Sequence, residues 1–359
     1  LHFHGRSDGG LASIIYTSGT TGEPKGVMLS HKNLSSNTSS IAEYLKLTES
    51  DSVMAVLPFY YSYGNSLMLT HVAQGGRLVI DNSFMYPNVV LDSMVREAVT
   101  GFAGVPSTFA ILLHRSKFRH MSIPSLRYIT QAGGPMPHDT AFEIVSIVPQ
   151  AKFFIMYGQT EASARLSYLD PDDLPRKPGS VGKGIPGVIL EVIKENGEKV
   201  QPGEVGEVTA QGNNIMLGYW GKEEETRQVV RNGRLYTGDM ATVDEEGYLY
   251  LLGRRADMIK SGAHRIAPRE IEEVVLKHPK IAEAAVVGEA DPILGEAICL
   301  FIVVKGGELC SEKELMHYCR ENLPSYKMPK TVNFVQSFHK TESGKIKKAE
   351  LKSLLSHAG

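Results

Sequence analysis

Cysteine is scarce in this chain. Cys299, Cys310 and Cys319 are the only three among 359 residues, an odd number at spacings that suit no metal site. Cys299 sits in the apolar run 297–304 and reads as a core thiol. This usage fits a reducing compartment, and a cytoplasmic location is the expectation. An excess of one charge is also missing. Lys plus Arg number 38 against 40 Asp plus Glu, a formal net charge of -2. That balance gives no footprint for a nucleic-acid partner. No apolar stretch is long enough for a transmembrane segment. The start shows no signal-peptide order. No Met opens the chain, so its beginning reads as a cut within a larger protein. Internal repeats and low-complexity tracts are lacking, and the 35 glycines cluster rather than repeat, which excludes collagen-like order. What is present is a hydrophobic fraction of 42% in a chain well beyond one typical domain, enough for real cores in two or more domains.

Strand-like and helix-like segments alternate over the first half. Residues 11–16, 53–57, 77–80, 126–131 and 153–156 read as strands. Helices are expected from Ser30 or His31 to about Tyr44, over 85–98 and over 139–148, with a helical stretch between the strands at 53–57 and 77–80. This order predicts a layered α/β unit with a largely parallel sheet. The character changes near Pro171. Residues 176–187 are rich in Gly and Pro, and 188–193, 204–211 and 248–252 read as strands of a β-barrel-like portion, with a hairpin-like turn at Lys194-Glu195-Asn196-Gly197. After 253–257 a helix over 268–277, strands at 284–288 and 298–304, a helix over 312–321 and a strand at 332–335 predict a small α+β domain. The expected boundaries are 1–170 for the α/β part, 171–253 for the β-rich portion and 254–359 for the small domain.

The densest chemical signal is Tyr16-Thr17-Ser18-Gly19-Thr20-Thr21-Gly22-Glu23-Pro24-Lys25-Gly26, expected as a loop between strand and helix. Glycines let backbone N–H groups converge on an anion, the hydroxyls add rotatable donors, and Lys25 adds a charge suited to phosphate. The run has neither the Walker Gly-Lys-Ser/Thr order nor the dinucleotide Gly-x-Gly-x-x-Gly order. It therefore points to phosphate binding without naming the nucleotide.

This loop resembles the core signature of the adenylate-forming superfamily: acyl-CoA synthetases, the adenylation domains of peptide synthetases, and firefly luciferases. Further motifs follow in that superfamily's order. They are Gln131-Ala132-Gly133-Gly134-Pro135, Tyr157-Gly158-Gln159-Thr160-Glu161, Gly218-Tyr219-Trp220, Tyr236-Thr237-Gly238-Asp239, the segment from Gly253-Arg254 to Ala267-Pro268, and Ser343-Gly344-Lys345-Ile346. The resemblance spans the whole chain. It implies that Thr17, Ser18, Gly19, Thr20, Thr21, Gly22 and Lys25 cradle ATP, that Gly133, Gly134 and Pro135 run against the nucleotide, and that Tyr157 and Gly158 lie at the adenine. A core tyrosine is the bland alternative for Tyr157. The resemblance further implies that Thr160 contacts the α-phosphate, that Glu161 binds Mg²⁺, that Asp239 accepts both ribose hydroxyls with Arg254 as its partner, and that Arg265 contacts phosphate. Without it, Asp239 reads as a turn residue and Lys345 as part of an exposed basic tail. With it, Lys345 bridges the attacking carboxylate and the α-phosphate.

The implied reaction joins a carboxylic acid, aliphatic or aryl, to coenzyme A through an acyl-adenylate, with Gly262 beside the thiol and the small domain turning as a mobile lid about 253–257. Two alternatives stand beside it: loading of a carrier-protein phosphopantetheine arm, and a catalytically silent nucleotide-binding module. Three departures qualify the resemblance. Ala256 stands where relatives carry a charged hinge residue. Tyr61 falls where many ligases place His, and the segment 57–64 has no Asp to hold an amino-acid ammonium. Only residues 1–15 precede Tyr16, so the front of the large domain is expected to be missing, leaving the chain less stable than a full-length enzyme and its own turnover open. Neither the acid nor the oligomeric state is legible.

Overall fold

The computed structural model describes residues 9–17, 24–81, 84–262, 264–340 and 346–356. It divides into two compact units, Leu1–Thr237 with Thr242–Tyr250, and Gly238–Ala241 with Leu251–Gly359. The architecture is the layered α/β one expected, with mixed sheets and a separate α+β segment at the C-terminal end. No described helix is long and apolar enough to cross a membrane.

The first unit is organised on a seven-stranded sheet. Its order is Arg77–Ile80, Ser52–Ala55, Gly101–Gly104, Tyr128–Gln131, Lys152–Tyr157, Ser167–Leu169 and Lys183–Gly184. The first five strands are parallel and the last two antiparallel. The inner parallel strands Ser52–Ala55, Gly101–Gly104 and Tyr128–Gln131 are buried at every residue, as expected where both faces are covered, while the edge strand Arg77–Ile80 is partly exposed. Helix His31–Leu45 starts where Ser30 and Asn33 exchange hydrogen bonds between side chain and backbone, at 3.1 and 2.8 Å. Its Ile41, Tyr44 and Leu45 bury against Phe154, Met156 and Tyr128 of the sheet. Each such buried aliphatic side chain contributes roughly 1.5–3 kcal/mol.

Two elements here escape a reading of propensity. Strand Gly101–Gly104 begins and ends in glycine, a poor strand former. Packing demands it: a Cβ on Gly101 would lie 2.1 Å from Cζ of Tyr128. Helix Pro106–Arg115 then opens with a proline in its first turn.

The Gly-rich loop does not join strand to helix as expected. Lys25–Ser30 is itself a strand, antiparallel to Leu11–Thr17, and Thr17 pairs with Lys25. Val27 and Leu29 are fully buried with Ile15, Met216 and Tyr219, which explains why this segment pairs instead of looping. The hairpin turn at 194–197 forms as expected, closed by N–H donation from Lys194 to Glu198 and from Gly197 to Lys194.

In the second unit, strands His264–Ile266, Ile259–Ser261, Gly295–Val304 and Ile281–Asp291 lie in that order, with Thr331–Phe334 parallel to Gly295–Val304. The two long strands are buried on both faces. Ala284, Val286, Leu300 and Ile302 face helices Pro268–Leu276 and Glu312–Asn322, through Ile271, Val275, Leu315 and Cys319. Ala285, Val287, Cys299 and Phe301 face Phe338 and Leu351. Leu351 belongs to helix Lys348–Ser356, which packs onto the sheet through it. Strand Arg234–Val243 carries Thr237-Gly238-Asp239 within its length. A turn is what Gly followed by Asp suggests; instead Gly238 adopts φ 74° inside an extended strand.

Candidate active site

Residues 18–23 and 341–345 lie outside the described residues, and with them the expectations on Ser18, Gly19, Thr20, Thr21, Gly22 and Lys345. The flanks of the Gly-rich loop are described. Thr17 Oγ1 reaches the carbonyl of Lys25 at 3.5 Å. The Lys25 ammonium pairs with Glu225 and lies 5.1 Å from the ring centroid of Tyr219. That ammonium holds the Glu225 carboxyl below the usual carboxylate range.

Four other expected residues of the first unit, Tyr157, Gly158, Thr160 and Glu161, lie at the C-terminal end of strand Lys152–Tyr157, the edge where open α/β sheets take ligands. Tyr157 ends its strand and is buried. The chain passes through Gly158 and Gln159 into a short 3-10 turn, Thr160–Ala162, then doubles back through Ser163 at φ 65° so that Leu166 N donates to the Tyr157 carbonyl at 2.9 Å. Gly158 is needed for that reversal, since a Cβ there would lie 2.1 Å from the Ala164 carbonyl oxygen. Thr160 donates to Ser62 Oγ at 3.2 Å. Glu161 accepts from the Tyr219 hydroxyl at 2.8 Å, and its carbonyl accepts from Met216 N at 2.9 Å.

Tyr219 is therefore the residue that motif reading quoted without a role. Its ring faces Lys25 and its hydroxyl holds Glu161. The signal was there in Gly218-Tyr219-Trp220, but the chain gives no hint that strand Gly218–Tyr219 pairs with Val27 and Met28.

Gly133 follows strand Tyr128–Gln131 at φ 87°, and the Gln131 amide donates to the Gly134 carbonyl at 2.8 Å. A Cβ on Gly134 would lie 3.2 Å from Pro106 Cγ. Ahead of helix Ser62–Gln74, the Tyr60 and Tyr61 rings lie 4.5 Å apart. The Tyr63 hydroxyl meets the Thr130 carbonyl at 2.9 Å and its Oγ1 at 2.8 Å. A cavity of about 270 Å³ opens beside Ser13, Ile14, Ile15, Tyr16, Phe59, Tyr60 and Asn65.

In the second unit Asp239, 9% exposed, meets Arg254 Nε at 2.9 Å. Arg265 is exposed and sits opposite Lys260 across the hairpin of Ile259–Ser261 and His264–Ile266. Gly262 turns at φ 58° with its N–H donating to the Leu294 carbonyl at 2.7 Å. Ala256 lies in the 3-10 turn Arg255–Asp257. Among the described residues, the group with mixed metal-ligand chemistry is His278, Cys310 and Glu314. Lys280 Nζ already stands 2.8 Å from that glutamate.

The pattern described as AMP-binding enzyme matches residues 6–220, and that of the AMP-binding enzyme C-terminal domain matches 270–345. The 2-succinylbenzoate–CoA ligase of Bacillus cereus is 36% identical over 347 residues, covering 96% of this chain and 70% of the relative. The long-chain-fatty-acid–CoA ligase of Escherichia coli O157:H7 is 34% identical over 95% of this chain and 61% of its own length. Among solved structures, ATP-bound MatB from Rhodopseudomonas palustris superposes with a TM-score of 0.90 at 32% identity, over 97% of this chain and 69% of that one. The o-succinylbenzoate CoA synthetase from Bacillus subtilis, solved with its acyl-adenylate intermediate, gives 0.88 at 33% identity, over 96% and 70%. The chain thus spans 61 to 70% of the length of these relatives.

Proposed function

The chain belongs to the AMP-binding enzyme family, and from that premise we propose that it carries the machinery of an AMP-forming acid–CoA ligase. The carboxylate of an acid attacks the α-phosphorus of ATP, and pyrophosphate leaves. The thiol of coenzyme A then attacks the acyl carbon of the resulting mixed anhydride, and AMP leaves. No enzyme nucleophile is needed, so the protein's task is alignment and electrostatics.

The observation that carries this reading is the convergence of Lys25, Tyr219 and Glu161 where the Gly-rich hairpin meets the sheet edge. Lys25 and the loop's amides suit the anionic phosphates. Glu161, with the Thr160 hydroxyl beside it in sequence, offers the hard oxygen donors that Mg²⁺ takes, and the metal would neutralise charge on the phosphates. Asp239 would accept the ribose hydroxyls, with Arg254 fixing its carboxylate. Tyr157, Gly133, Gly134 and Pro135 would border the nucleotide, Arg265 would meet phosphate, and Lys345 would meet the attacking acid. Tyr61 and Tyr63 leave the acid's side without an Asp for an ammonium group, which disfavours amino acids.

Pyrophosphate release, measured over aliphatic, aryl and amino acids with and without coenzyme A, tests the proposal. Release with a carboxylic acid, and an acyl-CoA product only when coenzyme A is present, supports it. Acyl transfer to a holo-carrier protein in place of coenzyme A would favour the carrier-loading alternative. Lys345→Ala should cut acyl-adenylate formation by about 10²–10³. An unchanged rate in that variant would remove the lysine from the chemistry.

A further inference from the structure

Lys25, the basic residue at the end of the Gly-rich run, is already engaged by an acid. Its ammonium pairs with the Glu225 carboxylate and lies 5.1 Å from the ring centroid of Tyr219. Neither partner is deeply buried, with 19% of the Lys25 side chain and 34% of that of Glu225 exposed. A pair this open adds little to stability. It also has a cost for binding. A carboxylate beside a lysine that takes phosphate repels the anion the lysine is there to receive.

The acid stands on the fixed side of the pair. Glu225 belongs to helix Glu223–Val229. The hydroxyl of its neighbour Thr226 accepts from Tyr219 N at 2.9 Å and donates to the Lys222 carbonyl at 2.9 Å. A Cβ on Gly218 would lie 2.8 Å from Thr226 Cγ2, so helix and strand Gly218–Tyr219 are in close contact. That strand pairs with Val27 and Met28, which ties the helix to the hairpin strand that Lys25 opens. The lysine stem, with four flexible carbons, is the part free to swing.

The acid has a second cation. Lys222 Nζ lies 3.4 Å from Glu225 Oε1, while Lys25 takes Oε2. Departure of Lys25 therefore leaves the carboxylate paired, and no lone charge opposes the exchange. The Tyr219 ring links the pair to the proposed Mg²⁺ ligand, since its hydroxyl donates to Glu161 at 2.8 Å.

We propose that Glu225 is a positioning residue that competes with polyphosphate for Lys25: the lysine leaves Glu225 for the β- and γ-phosphates of ATP and returns to it as pyrophosphate departs. The inference rests on the acid–CoA ligase reading and concerns one step of it, release of the leaving group. Only ion pairs are exchanged, and no covalent bond is made or broken. Without the acid, Lys25 would hold both anions more tightly, the product included.

The test is calorimetric binding of MgATP, magnesium pyrophosphate and AMP to the full chain, wild type against variants at 225 and 25. Glu225→Gln should tighten ATP and pyrophosphate roughly three- to tenfold. AMP lacks the outer phosphates and should bind as before. Glu225→Ala, which leaves Lys25 no acceptor at that position, should tighten both at least as much, and Glu225→Asp, which keeps the charge, should stay near wild type. Lys25→Met should weaken pyrophosphate, and adding Glu225→Gln to it should change nothing more. A gain from Glu225→Gln that persists without Lys25 would be plain charge repulsion and overturns the inference. Unchanged or weaker pyrophosphate binding in Glu225→Gln, or an equal shift for AMP, overturns it as well. Pyrophosphate release over the acid panel keeps the two readings apart. Glu225-dependent binding without release sinks only the ligase reading, and release with binding indifferent to Glu225 sinks only this one.

Discussion

Arg254 Nε lies 2.9 Å from a carboxylate oxygen of Asp239, and the pair joins the turn out of strand Leu249–Arg254 to the middle of strand Arg234–Val243. Arg254 is 43% exposed at its side chain, so the pair adds little to stability. Its value is orientation. An oriented carboxylate is what accepting two ribose hydroxyls, as proposed for Asp239, calls for.

Asp239→Asn should therefore leave the melting temperature nearly unchanged while raising the KM for ATP in pyrophosphate exchange by roughly 10- to 100-fold, the worth of hydrogen bonds to a charged acceptor. An unchanged KM would show that Asp239 serves only the strand.

Gly158 and Gly134 separate backbone necessity from ligand approach. A Cβ at 158 would press on the Ala164 carbonyl at 2.1 Å, and backbone cannot yield as a flexible side chain can. Gly158→Ala should cost about 1–3 kcal/mol or more in urea unfolding. At 134 the nearest atom is Pro106 Cγ at 3.2 Å, a mild contact. Gly134→Ala should keep most of the stability and instead weaken ATP binding. Equal losses of stability in the two variants would show that Gly134, too, answers to packing.

These contrasts mark how much a sequence can carry. The layered α/β order was legible because apolar runs at 53–57, 77–80 and 153–156 alternate with amphipathic segments; inner strands such as Ser52–Ala55, buried throughout, leave the clearest imprint. Gly101–Gly104 was not, because its glycines answer to the Tyr128 ring, a partner distant in sequence. Strand Arg234–Val243 was hidden by a glycine whose positive φ sits inside a strand. The motif singles out Glu161 as a candidate, whereas the hydroxyl that holds it comes from a strand paired with Val27 and Met28, a long-range contact with no local signature.

His71 should make stability fall with acid. The imidazole is buried at 1% exposed, with Nε2 2.7 Å from the Tyr128 hydroxyl and Nδ1 2.9 Å from the Leu67 carbonyl. The carbonyl needs a proton on Nδ1, so Nε2 accepts from the phenol, which burial keeps protonated. Burial holds the imidazole below its usual range; the Leu67 carbonyl and Asp51 oppose that, and Arg127 adds to it. The unfolded chain, with an ordinary histidine, binds the proton first. Stability is thus full above about pH 6.5 and declines below it, down through the lowered folded value. Urea unfolding at pH 7.5 and 5.5 should show this decline, and His71→Gln should flatten it. A wild-type slope identical to that of the variant would mean His71 titrates normally.

Tyr219→Phe tests whether Glu161 is positioned or merely present. The substitution keeps the ring that faces Lys25 and removes only the hydroxyl donated to Glu161 at 2.8 Å. Loss of one hydrogen bond at a partly exposed acceptor should change stability by no more than about 1 kcal/mol. Freed from its donor, the carboxylate gains rotamers, and each unproductive rotamer must be given up when Mg²⁺ binds. The Mg²⁺ concentration for half-maximal pyrophosphate release should rise a few-fold, while Glu161→Gln should raise it further. If the hydroxyl acts through Glu161, adding Tyr219→Phe to Glu161→Gln should change nothing more, since the group to be positioned is already lost. Additive losses would place the hydroxyl in a separate role, at the Lys25 side of the hairpin.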